Sequence, residues 1–543
     1  AVTAHADILD AASTDDLTDI DTTDYTNMGI DGVSGDLSDG DDANDGNLAA
    51  INDALINTEN TLDTAASVQE VVDSYNTILE TATNDSGTLA SDDLTNIGVE
   101  LESGTEAAVA ELASGVIASL GYSEVDTVAE TQDIVDAIDA VFANTLRTSD
   151  DDATYTTVVS KDQLHTLGFV GATDDNLDAI QRVLSDQTDE SDVKDYADLK
   201  QLIDDAITAH SDILNAASTD DLTGIDEADY AAMGIDGVDA DNLASINDAL
   251  INTVNTLNTA ASIQEVVDSY NHILDLRADG SGITLDAADF TDLGVTLKAD
   301  NANQAEQLAY LQEIVASDLG SGDITTVSGL QALANATSDL IDLIQGNSPD
   351  SDGTEGLTIE QWALLGVTAA DAEEAAMLNA RLALTADDLS DVTNLATDLA
   401  ARVEESRNAL AKIEAYANAD GASDFDQDTL LATSDADDVP TVQDFSFVGV
   451  VDYNAGNGSR VAIDATNIAT INALFAAALV GADDGDEPAS TRTEVQAVID
   501  GAADRLGAFA KIVAYAEANV LTPADSSLIP TAADFALCGV TGV

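Results

Sequence analysis

Residues 226–235 read DEADYAAMGI, and this stretch decides the fold. The Asp226 carboxylate is suited to accept from the free amides at a helix start. Asp229, three residues on, can accept in turn from the Asp226 amide, which together makes a capping box. Tyr230 and Met233 then fall on one face, and Ile225, just before the cap, can staple onto Tyr230. Gly234 tolerates the left-handed backbone that stops a helix, with Ile235 behind it to pack back. The expectation is a short helix, capped at both ends, with one apolar face.

The pattern occurs eight times, closing at Gly29, Gly98, Gly168, Gly234, Gly294, Gly366, Gly449 and Gly539, with spacings of 69, 70, 66, 60, 72, 83 and 90 residues. Four residues before each glycine stands Tyr25, Leu94, Leu164, Tyr230, Phe290, Trp362, Phe445 or Phe535. Eight residues before it stands Asp21, Ala90, Ser160, Asp226, Asp286, Thr358, Thr441 or Thr531, a good N-cap in every copy but Ala90. The third residue after the cap is Asp or Gln throughout. Each position has a structural task, so the glycines are expected at positive φ and Trp362 in the core.

Working outward, a second helix is expected from Asn242, with Leu243, Ile246 and Leu250 at helical spacing. A longer third helix carries Ile263, Val266, Val267, Tyr270, Ile273 and Leu274 on one face. Val68, Val71, Val72, Tyr75, Ile78 and Leu79 repeat that face in the first copy. Residues 4–33 return at 209–238 with 23 of 30 identical, and 47–79 return at 242–274 with 28 of 33 identical. The first copy carries ten extra residues between those segments, which marks a surface loop.

The fold class is therefore all-α, a tandem array of about seven small three-helix modules forming an elongated rod. The repeats run 19–84, 85–152, 153–218, 219–280, 281–350, 351–434 and 435–524. Residues 1–18 read as the end of a preceding repeat and 525–543 as the start of a further one, as in a segment cut from a longer array. Modules this small bury marginal cores and should lean on their neighbours.

Composition narrows the function. Against 105 Asp and Glu stand 15 Lys and Arg, a net charge of −90. Such a surface repels nucleic acid and anionic membranes, and it attracts divalent cations or a cationic partner. Hydrophobic residues make up 45% of the chain, enough to build cores. No apolar run approaches the ~18 residues of a membrane span. Cys538 is the single cysteine and occupies an apolar slot of the pattern, so no disulfide within the chain can form.

The combination of T/D-x-x-D-aromatic-x-x-apolar-Gly-Val, NLAxINxAL and VQEVVDxYNxIL resembles the GA-like helical repeats of giant bacterial surface proteins and adhesins. The resemblance covers essentially the whole chain. It implies an extracellular or cell-surface location in a bacterium and an extender, stalk or matrix role, with no catalytic residues to carry over.

Calcium is the one site chemistry that the residues suggest. An EF-hand loop needs oxygen ligands at positions 1, 3 and 5, glycine at 6 and an acid at 12. Residues 348–360 supply Asp350, Asp352, Gly353 and Glu355, but Ser348 holds position 1 and Glu360 falls one place late. Residues 275–286 supply Asp275, Asp279, Gly280 and Asp286, but Arg277 sits at position 3. Both ligand sets are incomplete, and acidic loops of this kind are ordinarily solvated. His5 and His210 take helix positions filled elsewhere by Tyr75 and Tyr270, and His165 and His272 stand apart in sequence. No nucleophile motif has its strand–turn–helix context.

The expectation is an extracellular structural repeat protein without catalysis: an adhesin stalk, a surface layer or a self-assembling filament subunit. Its partners would be copies of itself or neighbouring repeats of a longer chain. The alternative is a helical module that captures a host protein, or calcium, through its acidic loops.

Overall fold

Two-turn helices bury little surface and survive only when both ends are satisfied. In the computed structural model, short helices stand at all eight glycines: Thr22–Met28, Ser91–Asn96, Lys161–Thr166, Glu227–Ala232, Ala287–Thr291, Ile359–Leu364, Val442–Phe447 and Ala532–Leu537. The structure describes the whole chain except residues 1, 15–16, 36–45, 59, 85–87, 146–158, 188–192, 254, 280–281, 300, 318–323, 346–355, 385–394, 419–438, 455–459, 479–488, 502, 518–528 and 538–543.

The start of each short helix is closed as the sequence specifies. The Asp226 amide donates to Asp229 Oδ2 at 2.8 Å while Asp226 Oδ1 accepts from Ala228 N at 2.9 Å. In the copy with a hydroxyl and an amide, Ser160 N donates to Gln163 Oε1 at 2.9 Å and Gln163 N returns to Ser160 Oγ at 3.2 Å. Ala90 has no side-chain acceptor, so that copy keeps half the box, Ala90 N to Asp93 Oδ2 at 2.8 Å.

The C-terminal ends are uniform. All seven described glycines of the pattern have φ between +66° and +99°. In each, the residue after the glycine donates its amide to the carbonyl of the aromatic or leucine four before it: Ile30 to Tyr25 at 2.9 Å, Ile235 to Tyr230 at 3.0 Å, Val367 to Trp362 at 2.9 Å. The glycine amide itself reaches the carbonyl three residues back, as Gly234 to Ala231 at 3.0 Å. This pair of bonds is the Schellman closure. It turns Ile30, Val99, Phe169, Ile235, Val295, Val367 and Val450 into the core beside the buried residues Tyr25, Leu94, Leu164, Tyr230, Phe290, Trp362 and Phe445.

After each of the first seven short helices the chain is helical again. Leu243–Asn252 and Ala260–Asp279 follow Gly234; Leu48–Asn57 and Ala65–Asn84 follow Gly29. Ile263, Val266, Val267, Tyr270 and Ile273 are fully buried, as their spacing requires, while Leu274 is only half-buried and Leu276 takes the inner position. The chain is thus mostly helical. Its described strands, Asp452–Asn454 and Arg460–Ala462, form an antiparallel ribbon with Tyr453 opposite Val461. The ribbon lies between the Val442–Phe447 helix and Ile468–Ala478, in the longest of the spacings. Its sequence signal, Val450-Val451 and Val461 flanking Asn457-Gly458, has no helical period.

The chain divides into two units, Ala1–Ile251 with Asn255–Asp268 and Asn252–Val254 with Ser269–Val543. In the first, Ala65–Asn84 packs on Ser91–Asn96 and Glu106–Ser119, and Val128–Thr145 packs on Lys161–Thr166 and Leu177–Ser185. In the second, Val327–Ile344 packs on Ile359–Leu364 and Ala372–Leu384, and Leu395–Asn418 on Val442–Phe447 and Ile468–Ala478. Each of these long helices also packs on the second helix before it, so packing runs on across the boundaries of the sequence repeat. In the first unit one continuous hydrophobic core runs from Ala4 to Ala206.

Gly29 and Gly234 separate two effects. A Cβ at Gly29 meets open space, whereas one at Gly234 lies 2.6 Å from Arg182 Cβ. Gly29→Ala should cost about 1–2 kcal/mol for left-handed backbone alone. Gly234→Ala should cost more, read as a larger fall in urea midpoint; equal losses would show that the close approach is unimportant.

Candidate functional site: the seams between repeats

Of the acids that sequence reading singles out for metal, Asp275 and Asp286 are described, and each has its own place in a helix. Asp350, Asp352 and Glu355 lie outside the described residues, as do the acidic runs 150–152, 435–438 and 483–487. In the other EF-like stretch Asp275 is an exposed residue of the helix Ala260–Asp279. Asp286 has another task, capping Ala287–Thr291 by accepting from Ala288 N at 2.7 Å. No group of three metal-ligating side chains occurs among the described residues. His210 is buried with Nε2 3.2 Å from the Asn258 carbonyl. His272, isolated in sequence, pairs with the buried capping acid Asp289 at 2.9 Å.

What recurs instead is a set of polar joins between one repeat element and the next. The first uses glutamine. Gln264, near the start of its long helix, accepts from Asp236 N at 2.9 Å and donates to the Asp236 carbonyl at 3.1 Å. Gln69 does the same to Asp31, Gln132 to Glu100 and Gln331 to Thr296. The partner is always the second residue after the pattern glycine. A primary amide suits this place because it donates and accepts at once. Where glutamine is absent, Arg407 reaches the equivalent carbonyl, that of Thr368, at 2.8 Å.

The second join uses the second helix to hold the segment ahead of the short one. Asn379 accepts from Leu357 N at 3.1 Å, donates to the Leu357 carbonyl at 2.9 Å and also receives Trp362 Nε1 at 3.2 Å. Asn52 and Asn247 accept the hydroxyls of Tyr25 and Tyr230, each at 2.5 Å. Gln181, Gln312 and Asn472 make the corresponding backbone bonds to Val159, Ile283 and Pro440. These buried carbonyls would otherwise be orphaned at a cost of about 1–3 kcal/mol each.

The third join crosses from one repeat to the next. Asp53, on Leu48–Asn57, accepts from Val128 N at 2.7 Å and so caps the long helix of the following repeat. Asp178 accepts from Ala261 N at 2.6 Å in the same relation. Carboxylates at helix starts are favoured by the helix dipole. The pattern glycines complete these crossings. A Cβ at Gly98 would lie 2.3 Å from the Asn57 carbonyl oxygen and one at Gly294 2.3 Å from that of Asn252. The short helix of one repeat therefore abuts the end of the preceding second helix.

Electrostatics along these seams is one-sided. No Lys or Arg precedes Arg147. Burial, then Glu102 and Asp136, pushes the Asp139 carboxyl up to about 6. Burial and then Glu130 raise Asp126 in the same region. Cations elsewhere are committed: Lys412 to Asp444 at 3.0 Å, Lys298 to Asp342 at 2.9 Å, and Lys511 to Asp534 at 2.7 Å, which holds Asp534 down at about 2. Arg381 is buried, bonded to Ser406 Oγ at 2.9 Å, and lies 4.3 Å over the Phe447 ring.

A shallow groove of about 390 Å³ runs beside Glu111, Ser119, Lys194 and Tyr196. Its polar groups are spent on each other and on the backbone: Lys194 pairs with Glu111 at 3.0 Å and the Tyr196 hydroxyl donates to the Leu167 carbonyl at 3.0 Å. Among the described residues no helix is long and apolar enough to cross a membrane. Compared with protein-family models, curated proteins and solved structures, the chain matches none.

The glutamine join and the raised carboxylate each give a measurable outcome. Gln264→Glu removes a donor and sets a second carboxylate beside Asp268, so it should lower the thermal midpoint by more than Gln264→Met. Losing a hydrogen bond alone is worth about 1 kcal/mol. Asp139, raised in the folded state, contributes stability that is complete below its unfolded value near 3.8 and lost as pH climbs through about 6. Asp139→Asn should therefore be stabilising at pH 7, with the difference from wild type shrinking as pH falls and vanishing only below the unfolded value near 3.8. A constant difference across that range would remove Asp139 as the titrating group.

Proposed function

We propose that the chain is an extracellular structural repeat protein of the GA-like bacterial surface type, in which three-helix modules stack into an elongated rod. Its role in this reading is mechanical: to span distance as an adhesin stalk, a surface layer or a filament subunit, without catalysis and without a resident cofactor. The observation that carries the reading is the unbroken core from Ala4 to Ala206, which runs through the first two repeats and into the long helix of the third. Independent beads on a string would each close their own core. Here Asp53 and Asp178 bind a helix one repeat away, and neighbour-coupled stacking of that kind is what stiffens solenoid proteins.

The charge supports the same reading. With net charge −90, the surface resists collapse onto other acidic polymers and onto itself at low salt. Long, thin and strongly anionic bodies keep their extension because lateral contact is repelled.

Two measurements test this. Negative-stain imaging of the full chain in about 0.5 M NaCl, where monovalent screening is strong, should show thin rods; compact particles would overturn the reading. In parallel, residues 219–280 excised alone should melt far below a fragment of three tandem repeats. Equal midpoints would mean separate beads rather than a stack.

A further inference from the structure

We infer that Asp31 and Asp236, each followed by glycine, are latent isoaspartate sites, and that the glutamine amide laid across each of them keeps it from reacting. In the first and fourth repeats the glutamine join is then a chemical guard as well as a structural clamp.

The chemistry belongs to the Asp-Gly pair. The glycine amide nitrogen attacks the carbonyl carbon of the Asp side chain. The amide proton leaves with the carboxylic acid hydroxyl as water, and a succinimide ring closes. Solvent water then opens the ring at either carbonyl. Opening at the side-chain carbonyl restores Asp, and opening at the backbone carbonyl routes the chain through the side chain as isoaspartate. The water lost on closure is regained on opening, so the product is an isomer. Glycine hinders the attack least, because no Cβ shields its nitrogen.

The fold requires that glycine. Gly32 and Gly237 have φ of +88° and +80°, in the left-handed region that penalises side chains. A Cβ at Gly32 would also lie 2.9 Å from Asn76 Nδ2. Asp31 and Asp236 are exposed, so solvent reaches both. The other residues clamped through glutamine or arginine, Glu100, Thr296 and Thr368, carry no aspartyl carboxyl and precede no glycine.

The clamp opposes the reaction by geometry. Gln264 accepts from Asp236 N at 2.9 Å and donates to its carbonyl at 3.1 Å, and Gln69 holds Asp31 at 2.9 and 3.0 Å. One primary amide can take both groups of a residue only where they point the same way, as in an extended strand. Ring closure needs the glycine nitrogen in line with the Asp Cβ about the Cα–C bond, a rotation of roughly 100° from the extended ψ. That rotation swings the Asp carbonyl off the glutamine. It also drags the glycine carbonyl, which accepts from Asn242 Nδ2 at 2.6 Å in the fourth repeat. In the first repeat that carbonyl accepts from Asn47 Nδ2 at 2.7 Å and Asn76 Nδ2 at 3.1 Å. Reaction therefore waits on local opening of the clamp, without unfolding of the repeat.

The test is to age the full chain at mildly acidic pH and digest it with a proteinase that cuts before aspartate. Such an enzyme stops cutting at a residue that has isomerised, and mass spectrometry reads the missed cut. In Gln264→Met, isoaspartate at Asp236 should form roughly fivefold faster or more, the weight of one net hydrogen bond. Asp31 in the same molecule should keep its wild-type rate, and Gln69→Met should exchange the two. Val267→Ala, which loosens the same helix at a fully buried residue outside the clamp, should raise the rate at Asp236 by less than Gln264→Met. An unchanged rate at Asp236 in Gln264→Met, or an equal rise in Val267→Ala, would overturn the inference. So would a wild type that isomerises at Asp236 as fast as the urea-unfolded chain. None of these outcomes depends on whether the repeats form a rod.

Discussion

A scarcity of hydrogen-bond donors governs this molecule. Carboxylates accept and do not donate, and 105 of them face only 15 lysines and arginines. Thin repeats with many chain reversals leave carbonyls exposed at every turn, and each buried one needs a donor. The chain meets that need with primary amides, which donate without adding charge. Gln264, Gln69, Asn379 and Asn472 are all spent this way. The capped short helix obeys the same constraint from the other side. Its open amides absorb carboxylates such as Asp226 and Asp229 that would otherwise only repel.

The short helices were the most legible part of the sequence, because every requirement is local. Cap, staple, buried aromatic and glycine stop fall within ten residues, so Asp226 to Ile235 carries its own instructions. The long amphipathic helices were legible for a related reason, since Ile263 to Ile273 display a single face. What escaped notice is non-local or polar. Gln264 and Asn379 sit at helical positions that periodicity treats as indifferent, although glutamine recurs before Glu265, Glu70 and Asp133 in equivalent helices. His272 and Asp289 meet across 17 residues that no spacing rule connects. The 452–462 ribbon follows the two-residue period of a strand over too few residues to stand out among helices.

The functional residues were legible to a smaller degree. Asp275 and Asp286 look alike as acids in a sequence, yet one is an exposed helical residue and the other an N-cap. An acid's role depends on which amides lie within reach, and that is settled by tertiary packing. Asp53 illustrates this, since its partner Val128 belongs to another repeat.

The continuity of packing across the sequence repeat bears on how such a gene can grow. Long helices are covered both by the second helix before them and by the helices after them, so the cluster has no privileged boundary. A duplication that copies whole periods restores all pairings wherever its breakpoints fall. The near-identity of 4–33 with 209–238, three repeats apart, has that form. Unequal recombination can therefore lengthen or shorten the protein without first finding a linker to cut.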